Sequence, residues 1–445
     1  MPGRVLLLGY NPPQLLSGAR IEAAHYRTWQ FLEGLLAGDC RVLLYGGARG
    51  EAAADPALLP IAWRDQVVYS AFVPDDSTWR AVLQQTHDNF NPDCIVAVNF
   101  SHALYATTLR TDRPVWMDIY GDTLTIQQAA MYRAQSNRGL DTTIWFMNQV
   151  ARAGDHYSVC SVPQKHMLVG QLSMAGRLDA RTFGHDLVDV IEPGVAPTSG
   201  AQQLTRSAAR EELDQSPEAF VVLWCGGYNT WTDVDTLYQG LEQAMRADAR
   251  VHFVSIGAST YEAADNQYER LLRLVDGSPY RERFDMRGWQ PWETIPRYYA
   301  AADVGISIDA LHYETIYGTR TRLLEMIGAG LPVLTSLGSE LSYILQERGA
   351  ALTFEPGDAQ ILGEHITGLV NMPNQHRALA EAATRLGQTE LSFAATTGPL
   401  RRWISRPEPS PDRAVGYSDA HSPVIEYRAR AVIRSLIWRL WGLER

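Results

Sequence analysis

Lysine is almost missing from this chain. Lys165 is the only lysine among 39 lysine and arginine residues, which a compositional bias of the source genome explains more simply than a functional purge. A surplus of positive charge is missing too. The formal net charge is -11, so the chain is not built around a nucleic-acid backbone and no nucleic-acid partner is expected. Cysteine is scarce: Cys40, Cys94, Cys160 and Cys225 are widely spaced, form no C-x-x-C pair and mostly adjoin apolar runs, as reduced core thiols of a cytoplasmic protein do. No apolar run approaches the ~20 residues of a membrane-spanning helix. The first one, in "MPGRVLLLGYNPPQ", is too short for a signal peptide and reads as a buried strand.

Several catalytic signatures are absent as well. "LLLGYNPPQLLSG" does not supply the G-x-G-x-x-G of a nicotinamide dehydrogenase after the first strand. The eleven histidines show neither H-x3-H nor H-E-x-x-H spacing, and Asp303 to Asp309 holds no Asp-x-Asp, so no metal and no other cofactor is expected. A Gly-x-Ser-x-Gly elbow is missing, which argues against a serine hydrolase.

What the chain does have is a rhythm. At 445 residues it is too long for one ordinary core, and two domains are expected. Short apolar runs, "RVLLLGY" (4 to 10), "CRVLLYGG" (40 to 47), "QVVYSAF" (66 to 72), "CIVAVNF" (94 to 100), "PVWMDIYGD" (114 to 122), "HYSVCSV" (156 to 162) and "LVDVIEPGV" (187 to 195), read as strands buried on both faces. Amphipathic stretches such as 20 to 37, 78 to 90 and 163 to 176 lie between them. The alternation predicts an α/β fold with parallel sheet flanked by helices. After a pause at "PGVAPTSGAQQ" (193 to 203) it restarts with "AFVVLWCGG" (219 to 227), "RVHFVSIGAS" (250 to 259), "RFDMRGW" (283 to 289), "ADVGISID" (302 to 309), "LPVLTS" (331 to 336) and "ALTFEP" (351 to 356). Two Rossmann-like domains facing each other across a cleft are therefore predicted, 1–195 and 196–380, with the ligand at the carboxyl ends of the strands.

Three segments follow: a return helix at 381–404 packing on the first domain, a Pro-, Ser- and Asp-rich linker at 405–423, and a basic amphipathic helix at 424–445. That last stretch carries five arginines against two glutamates, with Trp438 and Trp441 near its end. Such a helix on a tether suits an interfacial membrane anchor, on the inner face of the cell membrane; the alternative is a helix docked on the protein's own body or on a partner.

The richest segment is "YETIYGTRTRLLEMIGAGLPVLTS" (313 to 336). A strand ending in Asp309 leads through the loop "ALHYETIYG" to a helix expected to begin near Thr319. Arg320 and Arg322 stand in its first turn, where cations are normally unfavourable beside the positive helix end. Their placement asks for an anion, and arginine binds phosphate oxygens in bidentate fashion, so a diphosphate fits. Gly318 lets the backbone approach a ligand closely. Glu325, one turn further, can accept two hydrogen bonds from a ribose diol or simply pair with Arg322 along the helix.

Here the chain resembles a known family. "RGWQPWETIPRYYAAADVGISIDALHYETIYGTRTRLLEMIGAGLPVLTS" is similar to the nucleotide-sugar-binding half of retaining glycosyltransferases of family 4 (group 1), whose GT-B fold consists of two Rossmann-like domains. It is most like a subgroup with Glu-Thr, Arg-Thr-Arg-Leu-Leu-acid and Gly-Leu-Pro in succession, and "VWMDIYGD", "CSVPQKHMLVGQLSMAGRL" and "VIEPGV" extend the likeness to residues 1 to 404 or so. The resemblance implies transfer of a sugar from a nucleotide-diphosphate sugar to a hydroxyl acceptor with retention, in bacterial cell-surface polysaccharide or glycolipid assembly; the segment 424–445 suggests an acceptor at a membrane surface, a saccharide or a lipid-linked saccharide. Glu325 would hold the ribose, and Gly318, Thr319, Arg320 and Thr321 would lie along the diphosphate and sugar. Glu314 would sit near the transferred sugar, although the family's E-x7-E puts Tyr317 where its first Glu belongs.

Many members carry an Arg and a Lys after the first strand of the second domain, where this chain has "WCGGYNTWTDVDTL". Gly226, Gly227, Asn229 and Thr230 are donor-contact candidates there; an ordinary strand-helix turn is the competing reading, and charge neutralisation then rests on Arg320 and Arg322. Trp289 and Gln290 can border the base, or Trp289 can be core. On the acceptor side Gly18, in "QLLSGARIEAAHYR", is the candidate and His25 is structural. Asp118, Tyr120 and Asp122 are expected to face the cleft, unless Asp122 merely caps a helix. A remaining alternative is a catalytically silent GT-B partner of an active transferase, which keeps the nucleotide cleft and transfers nothing.

Overall fold

The computed structural model describes residues 3–49, 51, 54–74, 77–197, 204–261 and 266–413. The segment 424–445, with its expected amphipathic helix, lies outside them, as do residues 414–423. No helix among the described residues is long and apolar enough to cross a membrane.

Every strand falls inside one of the apolar runs. The first domain holds β1 (Arg4–Gly9), β2 (Arg41–Gly46), β3 (Val67–Ala71), β4 (Cys94–Val98), β5 (Val115–Asp118), β6 (His156–Val159) and β7 (Val188–Val190) in the order β3-β2-β1-β4-β5-β6-β7. The second holds β8 (Phe220–Cys225), β9 (Val251–Ile256), β10 (Phe284–Gly288), β11 (Val304–Ser307), β12 (Val333–Ser336) and β13 (Ala351–Phe354) in the order β10-β9-β8-β11-β12-β13. All pairings are parallel.

Both faces of each sheet are covered, which is why the strands read as unbroken apolar runs. Val5 and Leu7 of β1 pack with Phe31, Leu32 and Leu35 of helix Ala23–Ala37, while Leu6 and Leu8 pack with Leu168 and Leu172 of helix Val162–Met174. In β8, Leu223 and Cys225 pack with Leu323 and Ile327 of helix Thr321–Gly328, and Val222 and Trp224 with Leu237 and Leu241 of helix Val234–Ala247. Strand order reverses between β1 and β4 and between β8 and β11, so each sheet opens a crevice at the carboxyl ends of those strands.

Two boundaries differ from expectation. The chain returns to the first domain later than residue 381: helix Pro373–Gln388 buries Ala382, Ala383 and Leu386 in the core of the second domain. The crossing comes after it, where Val195 N–H donates to the Leu391 carbonyl at 2.6 Å. Helices Phe393–Thr396 and Gly398–Ser405 then pack on helix Ala23–Ala37, so closely that a Cβ on Gly34 would lie 2.7 Å from Thr397 Cβ.

The expected linker is also built into the first domain over its first residues. Ser410 and Asp412 are buried, and Arg177, fully buried, holds Asp412 through Nε and Nη2, Ser410 Oγ at 2.9 Å, and the carbonyls of Ala151 and Gly154 at 2.9 Å each. Asp155 accepts from Ser410 N–H at 2.8 Å and from Arg413 at 2.6 Å. Polar residues read as a solvated tether because burial of unpaired polar groups is costly; here the groups satisfy one another.

Candidate functional site

A cavity of about 510 Å³ lies between the domains, at the carboxyl ends of β1, β4, β8 and β11. Its floor in the second domain is set by a turn. Gly226, directly after β8, adopts φ +116, a conformation that favours glycine. The turn also sits close to a neighbour, since a Cβ on Gly257 would lie 2.0 Å from the Gly226 carbonyl oxygen.

Three charged groups on or just before helix Thr321–Gly328 line the cavity, and they behave differently. Arg320, immediately before the helix, is buried and bonded to Asp309 through Nε and to Glu314 Oε2 through Nη2 at 2.9 Å. Burial opposes its charge, but Asp309 and Glu314 more than offset this and raise its pKa. Burial likewise raises the Glu314 carboxyl, against the pull of Arg320. Arg320 is thus neutralised within the protein.

Arg322 is not. Its Nη2 donates to the Gly227 carbonyl at 2.6 Å and its Cζ lies 4.1 Å from the centre of the Trp224 ring, but no carboxylate pairs with it among the described residues. Its Nη1 is buried and lacks a hydrogen-bond partner among them. Burial pulls the guanidinium below the ordinary arginine range. Glu325, also lining the cavity, accepts from Tyr299 Oη at 2.8 Å. Burial lifts its pKa to about 7, although the Tyr299 bond and Arg322 both work the other way.

The helix starts at Thr321 rather than near Thr319, and the expected loop contains the short helix Tyr313–Tyr317. That extra turn brings Glu314 beside Arg320, which the spacing alone did not reveal.

The first domain forms the opposite wall with Arg20, Glu22, Tyr26, Asn99 and Tyr120. Contacts cross the cleft on several sides: Tyr120 Oη and Thr321 Oγ1 are 2.6 Å apart, Trp292 Nε1 donates to Tyr26 Oη at 2.9 Å, and Ser161 Oγ donates to the Tyr317 carbonyl at 2.7 Å.

The cavity gathers Gly226, Gly227, Asn229, Trp289, Glu314, Gly318, Thr319, Arg320, Thr321, Arg322, Glu325 and Tyr120 from the positions singled out in the sequence. Others stand elsewhere. Asp118 does not face the cleft: it is fully buried, with both oxygens taken by Arg27 at 3.0 and 2.7 Å and a further bond from Ser158 at 2.7 Å. Asp122 caps helix Thr123–Ala134 through the Thr125 N–H at 2.8 Å, the alternative given above. Gly18, at φ +62, donates its N–H to Glu293 at 2.8 Å outside the cavity lining. Thr230 is bonded to Arg133 of the first domain. Arg20, Tyr26, Asn99 and Trp231 line the cavity and were passed over. For Arg20 a signal existed, since it is a cation in the first strand-helix loop of a chain whose second domain lacks one in the matching place.

Residues 219–372 match the family described as "Glycosyl transferases group 1". No match was found among curated protein sequences. Solved structures share the whole two-domain fold. The chain is similar to sucrose-phosphate synthase from Thermosynechococcus elongatus (TM-score 0.67, 17% identity, covering 91% of this chain and 99% of that one). It is also similar to Anabaena HepE in complex with UDP-glucose (0.61, 16%, 91% and 99%) and to WaaG, a glycosyltransferase involved in lipopolysaccharide biosynthesis (0.61, 12%, 90% and 100%). The fold is GT-B, and the likeness to group 1 glycosyltransferases lies in residues 219–372.

Proposed function

We propose that this chain, with its group 1 glycosyltransferase domain, moves a sugar from a nucleotide-diphosphate sugar to a hydroxyl acceptor, with retention of configuration. The observation that carries the reading is Arg322: an enclosed guanidinium nitrogen without a partner among the described residues, at an interdomain cavity, with a ribose-binding carboxylate candidate one turn along the helix. An unpaired polar group of this kind is costly to keep and gains most from an anionic ligand. Arg322 stabilises the negative charge that develops on the diphosphate as its bond to the sugar breaks. Glu325 accepts from the ribose hydroxyls, and Trp289 borders the base. Glu314, oriented by Arg320, lies toward the transferred sugar. The facing wall around Tyr120 and Asn99 receives the acceptor, and closure of the two domains excludes water. HepE, solved in complex with UDP-glucose, supports a nucleotide sugar as donor.

The retaining outcome rests on the family resemblance. The acceptor is read as a saccharide or lipid-linked saccharide at a membrane surface, in bacterial polysaccharide or glycolipid assembly, because residues 424–445 combine arginine, tryptophan and apolar positions at helical spacing. That part is tested by sedimentation of the full chain with anionic vesicles; recovery in the supernatant overturns it.

The decisive experiment titrates UDP, GDP, ADP and CDP into the protein calorimetrically and follows hydrolysis of the matching nucleotide sugar. Binding with turnover is expected. Binding without turnover, with acceptors varied, favours the silent partner, a reading that the full neutralisation of Arg320 keeps open.

A further inference from the structure

The charges around the cavity do not suffice for a diphosphate unless the first domain contributes. Among the described residues, Arg20, Arg320 and Arg322 are the arginines that line it, against Glu22, Glu314 and Glu325. Arg320 cannot be released cheaply, because freeing it would strand Asp309 and Glu314 as buried, unpaired carboxylates. The loop after β8 offers no cation: "GGYNTWTD" (226 to 233) has none. Arg322 alone leaves most of a diphosphate's charge unopposed.

Arg20 is differently held. It stands in the loop between β1 and helix Ala23–Ala37, its side chain 37% exposed, and its carboxylate partner Glu22, 3.2 Å away, is 53% exposed. An exposed pair of this kind contributes little to stability and is exchanged for a stronger partner at small cost. The guanidinium already reaches across the cleft, with Cζ 3.9 Å from the centre of the Trp289 ring. Trp289 in turn abuts the donor turn: a Cβ on Gly227 would lie 3.2 Å from its ring. The carbonyl of Gly227 is the group that Arg322 holds at 2.6 Å. Arg20, Trp289, Gly227 and Arg322 therefore form one continuous line of contacts across the cleft.

We infer that Arg20 is the second cation of the donor site, contributed by the first domain, and that it exchanges Glu22 for the diphosphate when donor is bound. The inference rests on the nucleotide-sugar reading of the cavity. It also gives closure a cause, because the ligand's charge is fully met only when both domains face it.

Full-length wild type, Arg20→Ala and Arg20→Lys are titrated with whichever of UDP, GDP, ADP and CDP binds wild type most tightly. Arg20→Ala is expected to weaken that nucleotide at least tenfold, and Arg20→Lys, which keeps the charge but not the bidentate fork or the planar stacking group, to recover part of that loss. Affinity within twofold of wild type for Arg20→Ala overturns the inference. So does an equal loss in both variants, which would make Arg20 a stacking wall rather than a phosphate ligand. If no nucleoside diphosphate binds wild type, the nucleotide-sugar reading itself fails and takes this one with it.

Discussion

Two strand-end carboxylates, one in each domain, hold a buried arginine. Asp118 ends β5 and is clasped by Arg27; Asp309, two residues past β11, is clasped by Arg320. In the first domain the arrangement is self-contained, with Arg27 also bonded to Gln30 and the Ile191 carbonyl, so that each guanidinium nitrogen has a partner. In the second, the arginine two residues further on has no carboxylate of its own among the described residues, and its Nη1 has no hydrogen-bond partner among them. A buried arginine therefore does not mark a ligand site. What marks it is a guanidinium whose hydrogen bonds the protein leaves unfilled.

The comparison breaks most visibly at Arg322. Arg322→Ala is expected to lower turnover of the nucleotide sugar by ~10²–10³-fold, the usual cost of removing a preorganised group aimed at developing charge. Its thermal unfolding should remain near that of wild type, because no carboxylate is stranded. A steady-state assay alongside a melting curve checks both; wild-type turnover would remove the arginine from the site.

Arg27→Ala and Arg320→Ala should behave like each other and unlike Arg322→Ala. Each leaves a buried carboxylate uncompensated, Asp118 in one case, Asp309 with Glu314 in the other, at a cost of ~3–5 kcal/mol. Chemical denaturation should show an early transition in both variants, so that any activity lost in Arg320→Ala is inseparable from the fold. A stable, inactive Arg320→Ala protein would put Arg320 back among the phosphate ligands.

The strands were legible because burial on both sheet faces leaves an unbroken apolar signature, and all the quoted runs contain one. The cavity's second-domain side was legible for a related reason: Gly318 to Glu325 are clustered in sequence, and helix geometry brings neighbours at such spacing together. Pairings across longer gaps were not. Asp309 meets Arg320 only because an unforeseen helical turn, Tyr313–Tyr317, folds the intervening chain back. Asp118 read as a cleft residue because a strand-end carboxylate points to function only if no partner waits, and Arg27 lies 91 positions away. The same ambiguity hid the Arg177 network, whose polar partners at 410–413 look like solvated tether when read alone.

Glu325 sharpens the contrast through pH. Its carboxyl, ordinarily near 4.5, is raised to about 7, chiefly by burial. A carboxyl raised on folding adds no cost while both states are protonated, below about 4.5, and its full cost once both are ionised, above about 7. The ligand-free protein should accordingly lose stability as pH climbs through that window, and Glu325→Gln should lose less. Nucleotide affinity should move the opposite way, rising as pH passes 7, because the ionised form accepts both ribose hydroxyls. Calorimetric titrations at pH 6 and 8 test this, with a weakening of about tenfold and a smaller pH trend expected for Glu325→Gln, the remainder coming from the second ionisation of the terminal phosphate itself; an unchanged trend in that variant would assign the titration elsewhere.

The smallest expected effect concerns a link between the domains themselves. Tyr120 Oη and Thr321 Oγ1, 2.6 Å apart, join the wall of the first domain to the first residue of the helix that carries Arg322 and Glu325. Tyr120→Phe keeps the ring and removes that hydrogen bond alone, a change of ~1 kcal/mol. Because the bond spans the cleft, its loss falls on the equilibrium between open and closed forms rather than on the chemistry within the closed one. The closed-to-open ratio drops about fivefold at that energy, and apparent donor affinity drops by up to the same factor. KM for the nucleotide sugar should therefore rise three- to fivefold while kcat changes less than twofold. A fall in kcat with KM unchanged would mean that Tyr120 acts on the reacting groups rather than on closure.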